Sequence, residues 1–332
     1  MILVTGARGH IGNVLIRQLY DQGFHDLRVT VQGGDTSFIE PYVHEIVHCD
    51  IRDAQAVSEA VRGCSDVLHL AGYIHMSGTD KQKLIDINVG GVKNIINACL
   101  THGVNRLVYV SSIHALIPSA DNRIVETVNP DLSLCADEYS RTKLMGTLEV
   151  MDACGNRGLN AVIVYPTGVI GPYDYRMSMT GIMFKKYTRA RGIQPCFAGK
   201  FDFVDVRDVA DGIIRAWQHG KQGEGYIISG EECTISRMIQ LIGRCAGREL
   251  KTVNLPVFLV RAGAAMLGVY YRMSNKTPII TRETIDVVTS GVKISNQKAK
   301  SEIGFCPRLL DETMRDTVKW HCEAGNNQDY DN

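Results

Sequence analysis

Short runs of Val, Ile and Leu alternate with stretches of helical periodicity through the first half of the chain. The runs Ile2–Val4, Leu27–Val31, Glu45–Cys49, Val67–Leu70, Leu107–Val110 and Val162–Tyr165 predict strands covered on both faces, as in a parallel sheet. Between them, Ile11, Val14, Leu15 and Leu19 recur at helical spacing. So do Ile85, Val89, Val92, Ile95, Ile96, Cys99 and Leu100, with Gly103 placed to end that helix. The alternation predicts an α/β Rossmann fold: a doubly wound parallel sheet with right-handed crossovers and helices on both faces.

After about residue 166 the rhythm changes. Pro166, Gly168, Gly171 and Pro172 punctuate a loop, and a Met-rich stretch follows from Met177 to Phe184. Val204–Val206 and Tyr226–Ser229 read as further strands, Ser236–Ala246 as a polar helix and Val257–Met273 as a very apolar one. The expected organisation is a dinucleotide-binding domain over 1–166, completed by about 200–230. A smaller, discontinuous C-terminal lobe for substrate takes 167–199 and 231–322, and a polar disordered tail takes 323–332.

Composition narrows the function classes. With 36 basic and 36 acidic side chains the formal net charge is zero, which argues against a nucleic-acid binder and a polybasic membrane anchor. The uncharged run Ala262–Tyr271 has ten residues, where a membrane span needs about 20. The N-terminus reads as a strand entering a glycine loop, with no charged leader. None of the ten cysteines forms a CxxC pair or a zinc spacing, so reduced thiols, no metal site and a cytoplasmic location are expected.

The candidate chemistry begins at Thr5-Gly6-Ala7-Arg8-Gly9-His10-Ile11-Gly12, between the first strand and the first helix. There the glycines let a pyrophosphate approach the unpaired N–H groups and positive dipole of a helix N-terminus. An acidic residue ending the second strand would hold the ribose hydroxyls of NAD. This chain has Gln32 there, and Asp35 lies three residues further on. Missing acid and the loop cation Arg8 together point to NADP(H) in preference to NAD(H), with a solvated side chain as the competing role for Arg8. Asp50 and Ile51 follow the third strand, where a carboxylate meets an adenine amino group or caps the next helix.

Tyr139 and Lys143 stand at i and i+4 on a predicted helix, facing one side. A phenol with an ordinary pKa of about 10 needs a cation to work near neutral pH, and Lys143 is the expected one. Ser111-Ser112 end the fifth strand, at the carboxyl edge where such sheets bind ligands.

Together these segments resemble the extended short-chain dehydrogenases/reductases, the NAD(P)-dependent epimerase/dehydratase group. The resemblance runs to about residue 322 and rests on TGARGHIG at 5–12, HCDIRD at 48–53, VLHLAG at 67–72 and INVGGVKN at 87–94. It continues through LVYVSSI at 107–113, YSRTK at 139–143, YPTGVIGP at 165–172, FVDVRDVADGI at 203–213 and YIISGE at 226–231. It implies a catalytic triad of Ser112, Tyr139 and Lys143, with Ser112 preferred to Ser111. Lys143 would also grip the nicotinamide ribose. It further implies cofactor contacts from Leu70, Ala71, Gly72, Asn88, Pro166 and Val169 beside those of the glycine loop.

Within the group, Ile113-His114-Ala115 after the serines lacks the acidic pair of sugar-nucleotide dehydratases. The chain is more similar to the dihydroflavonol 4-reductase-like and 3β-hydroxysteroid dehydrogenase-like branch. That implies an oxidoreductase interconverting a secondary alcohol and a ketone on a mainly apolar small molecule. The alternatives are a nucleotide-sugar epimerase or dehydratase holding NAD tightly, and a nucleotide sensor without catalysis. His75, His114, Tyr173, Met177 and Met183 are the substrate-cleft candidates, each with ordinary packing as its competing role. A homodimer is among the assemblies to expect.

Overall fold

The computed structural model describes residues 1–74, 81–263 and 282–327. The chain divides into two units, the first made of 1–167, 207–228 and 294–306. In chain order it contains β1 (Ile2–Thr5), α1 (His10–Asp21), β2 (Leu27–Val31), β3 (Glu45–His48), α2 (Ala54–Val61) and β4 (Asp66–His69). Then come α3 (Lys81–Ile85), a π-helical turn (Asp86–Gly91), α4 (Val92–His102), β5 (Arg106–Val110) and α5 (Glu138–Asn156). β6 (Ala161–Pro166), α6 (Val206–His219), β7 (Gly225–Ile228) and α7 (Gln297–Ile303) complete it.

The seven strands form one parallel sheet in the order β3-β2-β1-β4-β5-β6-β7. The order reverses beside β1, so a crevice opens there at the carboxyl ends of β1 and β4. Every residue of β1 and β6 is buried, which matches the continuous apolar reading of these runs. α4 ends at Gly103, whose φ of 66° is left-handed and suits glycine.

Two boundaries differ from the expected ones. Residues 294–306 return to the first unit, where 231–322 was expected to be uninterrupted second lobe. Their anchor is polar: Tyr226 Oη donates to Glu302 at 3.1 Å, and Lys298 Nζ meets Glu224 at 2.6 Å and the Gly225 carbonyl at 3.0 Å. The strand Lys200–Asp205, expected to help complete the first domain, pairs within the second unit instead.

The second unit comprises 168–206, 229–293 and 307–332. Lys200–Asp205 lies parallel to Gly168–Ile170 and antiparallel to Glu231–Thr234, and a separate parallel pair joins Ile193–Phe197 to Lys251–Leu255. Helices Met179–Arg189, Ile235–Cys245 and Leu310–Asn327 close a core containing Ile170, Phe184, Phe203, Met238, Ile242 and Met314. The last helix runs to Asn327, five residues into the tail expected to be disordered from 323. Of the apolar stretch Val257–Met273, residues 257–263 are helical and the rest lies outside the described residues.

Candidate active site

The glycine loop is shaped by backbone contact. Gly6 has φ of 72°, and a Cβ on it would sit 2.8 Å from the Ala71 nitrogen. A Cβ on Gly12 would sit 2.2 Å from the Gly6 carbonyl oxygen. No side chain fits at either place. Gly9 caps α1 without a side-chain hydrogen bond and the first turn has no acid, so the helix presents its N–H groups and positive end to the loop. His10 and Ile11 open that helix. This donor set, in a cradle that any side chain would fill, fits a dinucleotide pyrophosphate.

A buried network not expected from sequence ties the loop to β4. Thr5 Oγ1 accepts from the Leu70 and Ala71 nitrogens at 3.2 and 3.1 Å, and it shares a hydrogen bond of 2.7 Å with His69 Nδ1. Burial, reinforced by the Lys143 charge, pushes His69 down to about 3, so the imidazole is neutral at physiological pH. Thr5 and His69 are 64 residues apart, and nothing local in the sequence signals the pair.

At the end of β2 the Arg8 guanidinium donates to the Gly33 carbonyl and, at 2.8 Å, to the Asp35 carbonyl. The Asp35 carboxylate accepts from Ser37 N at 2.9 Å, and that bond holds it below the usual carboxylate range. It thus serves its own turn and does not fold back in place of the missing acid. Asp50 is bound by Arg52, with contacts of 2.6 to 3.0 Å, and by Gln32, and the Arg52 bond lowers its pKa first. The cap of α2 is Asp53, which leaves Asp50 outside that role. Ile51 is buried against Gly91.

The strand pleat separates the two serines. Ser111 Oγ meets Thr147 Oγ1 of α5 at 2.8 Å, whereas Ser112 hydrogen-bonds Tyr139. Asp137 caps α5 through Ser140 N at 2.6 Å and so fixes where the helix carrying Tyr139 and Lys143 begins. Lys143 Nζ donates to the Val110 carbonyl at 2.9 Å and lies 4.9 Å over the Tyr109 ring. His114 follows Ser112, its ring edge-on to Tyr139 at 6.1 Å, and burial lowers its pKa.

Asn88 spends its amide on structure. It accepts from Tyr73 N at 2.8 Å and donates to the Tyr73 carbonyl at 3.0 Å and to Thr142 Oγ1 at 3.1 Å. It sits on the π-helical turn, which re-aims it between Tyr73 and α5. Its contact with the chain around Gly72 is close: a Cβ on Gly72 would lie 3.4 Å from Asn88 Oδ1 and 3.9 Å from Lys143 Nζ.

One electrostatic expectation is reversed. Tyr139 is pushed up to about 12, chiefly by burial, and the Ser112 bond offsets this only in part. Lys143 is not among the groups that shift it, and burial lowers the Lys143 ammonium itself to about 7.

The remaining expected residues are dispersed. Pro166 is buried at the end of β6, while Val169 lies on Gly168–Ile170 of the second unit. Tyr173 and Met177 both have positive φ, 70° and 48°, a strained state that often accompanies function. Met183 packs on the second unit's core, which favours its packing role. His75 lies outside the described residues.

The sequence model of the NAD dependent epimerase/dehydratase family matches residues 2–229. The chain is similar to "Sterol demethylase protein B" of Methylococcus capsulatus, 30% identical, with 97% of this chain and 98% of that one covered. It is 24% identical to "3beta-hydroxysteroid-dehydrogenase/decarboxylase isoform 1" of Arabidopsis thaliana, covering 95% of this chain and 78% of that one. The crystal structure of gox2253 superposes with a TM-score of 0.84 at 28% identity, over 99% of both chains.

The buried lysine makes stability depend on pH. Between the folded value of about 7 and an unfolded value near 10.5, the unfolded chain holds the proton and the folded chain does not. Stability from this group therefore rises with pH across that window and is lost as pH falls toward 7. Lys143→Met should gain on the wild type most at pH 6 and least near pH 10 in urea unfolding of the ligand-free protein. Parallel pH profiles would show that Lys143 keeps an ordinary pKa.

Proposed function

This chain belongs to the NAD dependent epimerase/dehydratase family, and on that premise we propose that it is an NADP(H)-preferring oxidoreductase. It interconverts a secondary alcohol and a ketone on an apolar, sterol-like small molecule. The observation that carries this reading is the gathering of Ser112, Tyr139 and Lys143 beside the glycine cradle within one unit. The names of the sterol and 3β-hydroxysteroid relatives support the substrate class.

Gly6, Gly9, Gly12 and the start of α1 would hold the pyrophosphate, Lys143 the nicotinamide ribose, and Arg8 with Gln32 the adenosine ribose and its 2′-phosphate. Asp50 and Ile51 would meet the adenine. Bound nicotinamide supplies the hydride donor or acceptor. Ser112 orients the substrate oxygen by a hydrogen bond. Tyr139 stands as a neutral phenol in the ligand-free protein and is ready to give its proton to a carbonyl oxygen, the ketone-reducing direction. In the reverse direction the phenolate must form first, and it needs positive charge beside it.

Tyr139→Phe should keep its fold and its cofactor binding while turnover of a steroid ketone panel falls about 10²-fold or more. Near-normal turnover would remove Tyr139 from its role. A melting shift with UDP- or GDP-sugars and none across the apolar panel would assign the site to an epimerase or dehydratase instead.

Cofactor choice is tested separately. NADP should bind more tightly than NAD, and Arg8→Ala should erase most of the difference. A charge-assisted phosphate contact is worth roughly 1.5–3 kcal/mol, or about tenfold and more in affinity. Tighter NAD binding by the wild type in a fluorescence titration would overturn the NADP assignment.

A further inference from the structure

The zero net charge hides a segregated distribution. Residues 182–200 and 235–263, all in the second unit, hold ten Lys and Arg and a single acidic residue, Glu249. Three of the ten cations are matched: Lys200 by Glu232 at 2.6 Å, Arg237 by Glu231 at 2.9 Å and Arg261 by Asp286 at 2.6 Å. Lys185, Lys186, Arg189, Arg191, Arg244, Arg248 and Lys251 make no ion pair among the described residues.

Hydrogen bonds to backbone carbonyls gather several of these cations at one edge. Arg248 Nη1 donates to the Arg189 carbonyl at 2.8 Å, and Lys251 N donates to the Gly192 carbonyl at 3.3 Å. Arg244, Arg248 and Lys251 also line an open depression of about 740 Å³ with Gln240 and Thr252.

An uncovered apolar strip starts at the same edge. In the parallel pair, Lys251 stands opposite Ile193, Val253 opposite Pro195 and Leu255 opposite Phe197, so these residues share a face. The other face is used. Thr252 bonds Ser236 at 2.6 Å and Gln240 at 3.0 Å, and Asn254 accepts from Cys196 at 3.0 Å. The first face is open at Ile193, 66% exposed, Val253, 47%, and Leu255, 40%, and is closed only at Phe197, which is buried against Ile285 and Val288. Pro256 then leads into the 257–263 helix, whose Val257 and Val260 pack beneath while Phe258 is 69% and Leu259 51% exposed.

We propose that this face of the second unit, from Arg191 and Lys251 to Phe258 and Leu259, docks on an anionic lipid surface. Exposed Phe and Leu enter the boundary of the acyl chains, and unmatched cations meet anionic headgroups. A second copy on the same face would bring more cations and almost no acid to match them, because a twofold contact pairs a patch with the same patch. No described helix is long and apolar enough to cross a membrane. The proposal rests on the second unit alone and is independent of the substrate.

The full chain should sediment with vesicles of phosphatidylcholine and phosphatidylglycerol, but not with phosphatidylcholine alone, and high salt should release it. At about fivefold per cation, R191Q/K251Q should bind about 25-fold more weakly. F258S/L259S should lose about tenfold or more for each side chain. Both variants should keep the wild-type melting temperature and turnover. No sedimentation with anionic vesicles, equal binding to neutral ones, or wild-type binding by both variants would overturn the proposal. So would a solution dimer that F258S/L259S converts to monomer, since a second copy would then cover the face.

Discussion

The site depends on how closely the carboxyl end of β1 approaches that of β4. With the Ala71 nitrogen 2.8 Å from where a Gly6 Cβ would stand, the two backbones leave no room for a side chain. Thr5 locks that approach by accepting from the Leu70 and Ala71 nitrogens and sharing a hydrogen bond with His69. The lock then propagates. Ala71 leads into Tyr73, Tyr73 is held by Asn88, and Asn88 donates to Thr142 on the helix that carries Tyr139 and Lys143. A continuous run of short polar bonds thus sets the glycine cradle and the acid/base pair in one frame. Loosening any link would shift the phosphate site and the phenol relative to each other.

The same enclosure works against the chemistry it positions. Burial disfavours every charged form, so the phenolate and the ammonium are both destabilised in the ligand-free protein. A helix i,i+4 pair at a surface would settle as a cation beside a polarised phenol. Here Lys143 turns to the Val110 carbonyl and the Tyr109 face, which solvate it poorly compared with water. A ligand that brings hydroxyls and negative charge into the crevice would restore what burial removes. The free protein therefore stands in a resting electrostatic state, with a protonated tyrosine and a lysine near its titration midpoint at neutral pH.

What the sequence carried was local. Apolar runs located all seven strands of the sheet to within a residue or two, because inner strands buried on both faces are nearly continuously apolar; the edge strand β3 is only partly buried and keeps Glu45 and His48. The glycine spacing and the Tyr139/Lys143 spacing were legible for the same reason: each is set by one turn or one helix. Long-range pairing was not legible. Period alone cannot say which serine faces Tyr139 until Thr147 is seen to occupy Ser111. The return of 294–306 depends on Tyr226 meeting Glu302, 76 residues away. The direction of the Tyr139 shift depends on desolvation, a property of the assembled interior.

Net charge shows the same limit from another side. A sum of zero is compatible with an even scatter of pairs or with separated fields, and the physics differs. In the first unit, cations near the site are committed: Arg8 to two carbonyls, Arg52 to Asp50 and Lys143 to Val110. In the second unit, the stretches rich in Lys and Arg carry a single acid of their own, and acids from elsewhere pair with three of their ten cations. Unmatched cations on one face repel each other, and an exposed Phe or Leu beside them gains nothing from water. Both strains are relieved by one event, contact with a surface that is acidic outside and apolar within. The neutral total and the polarised face are therefore consistent: the acids that balance the sum lie on other parts of the chain.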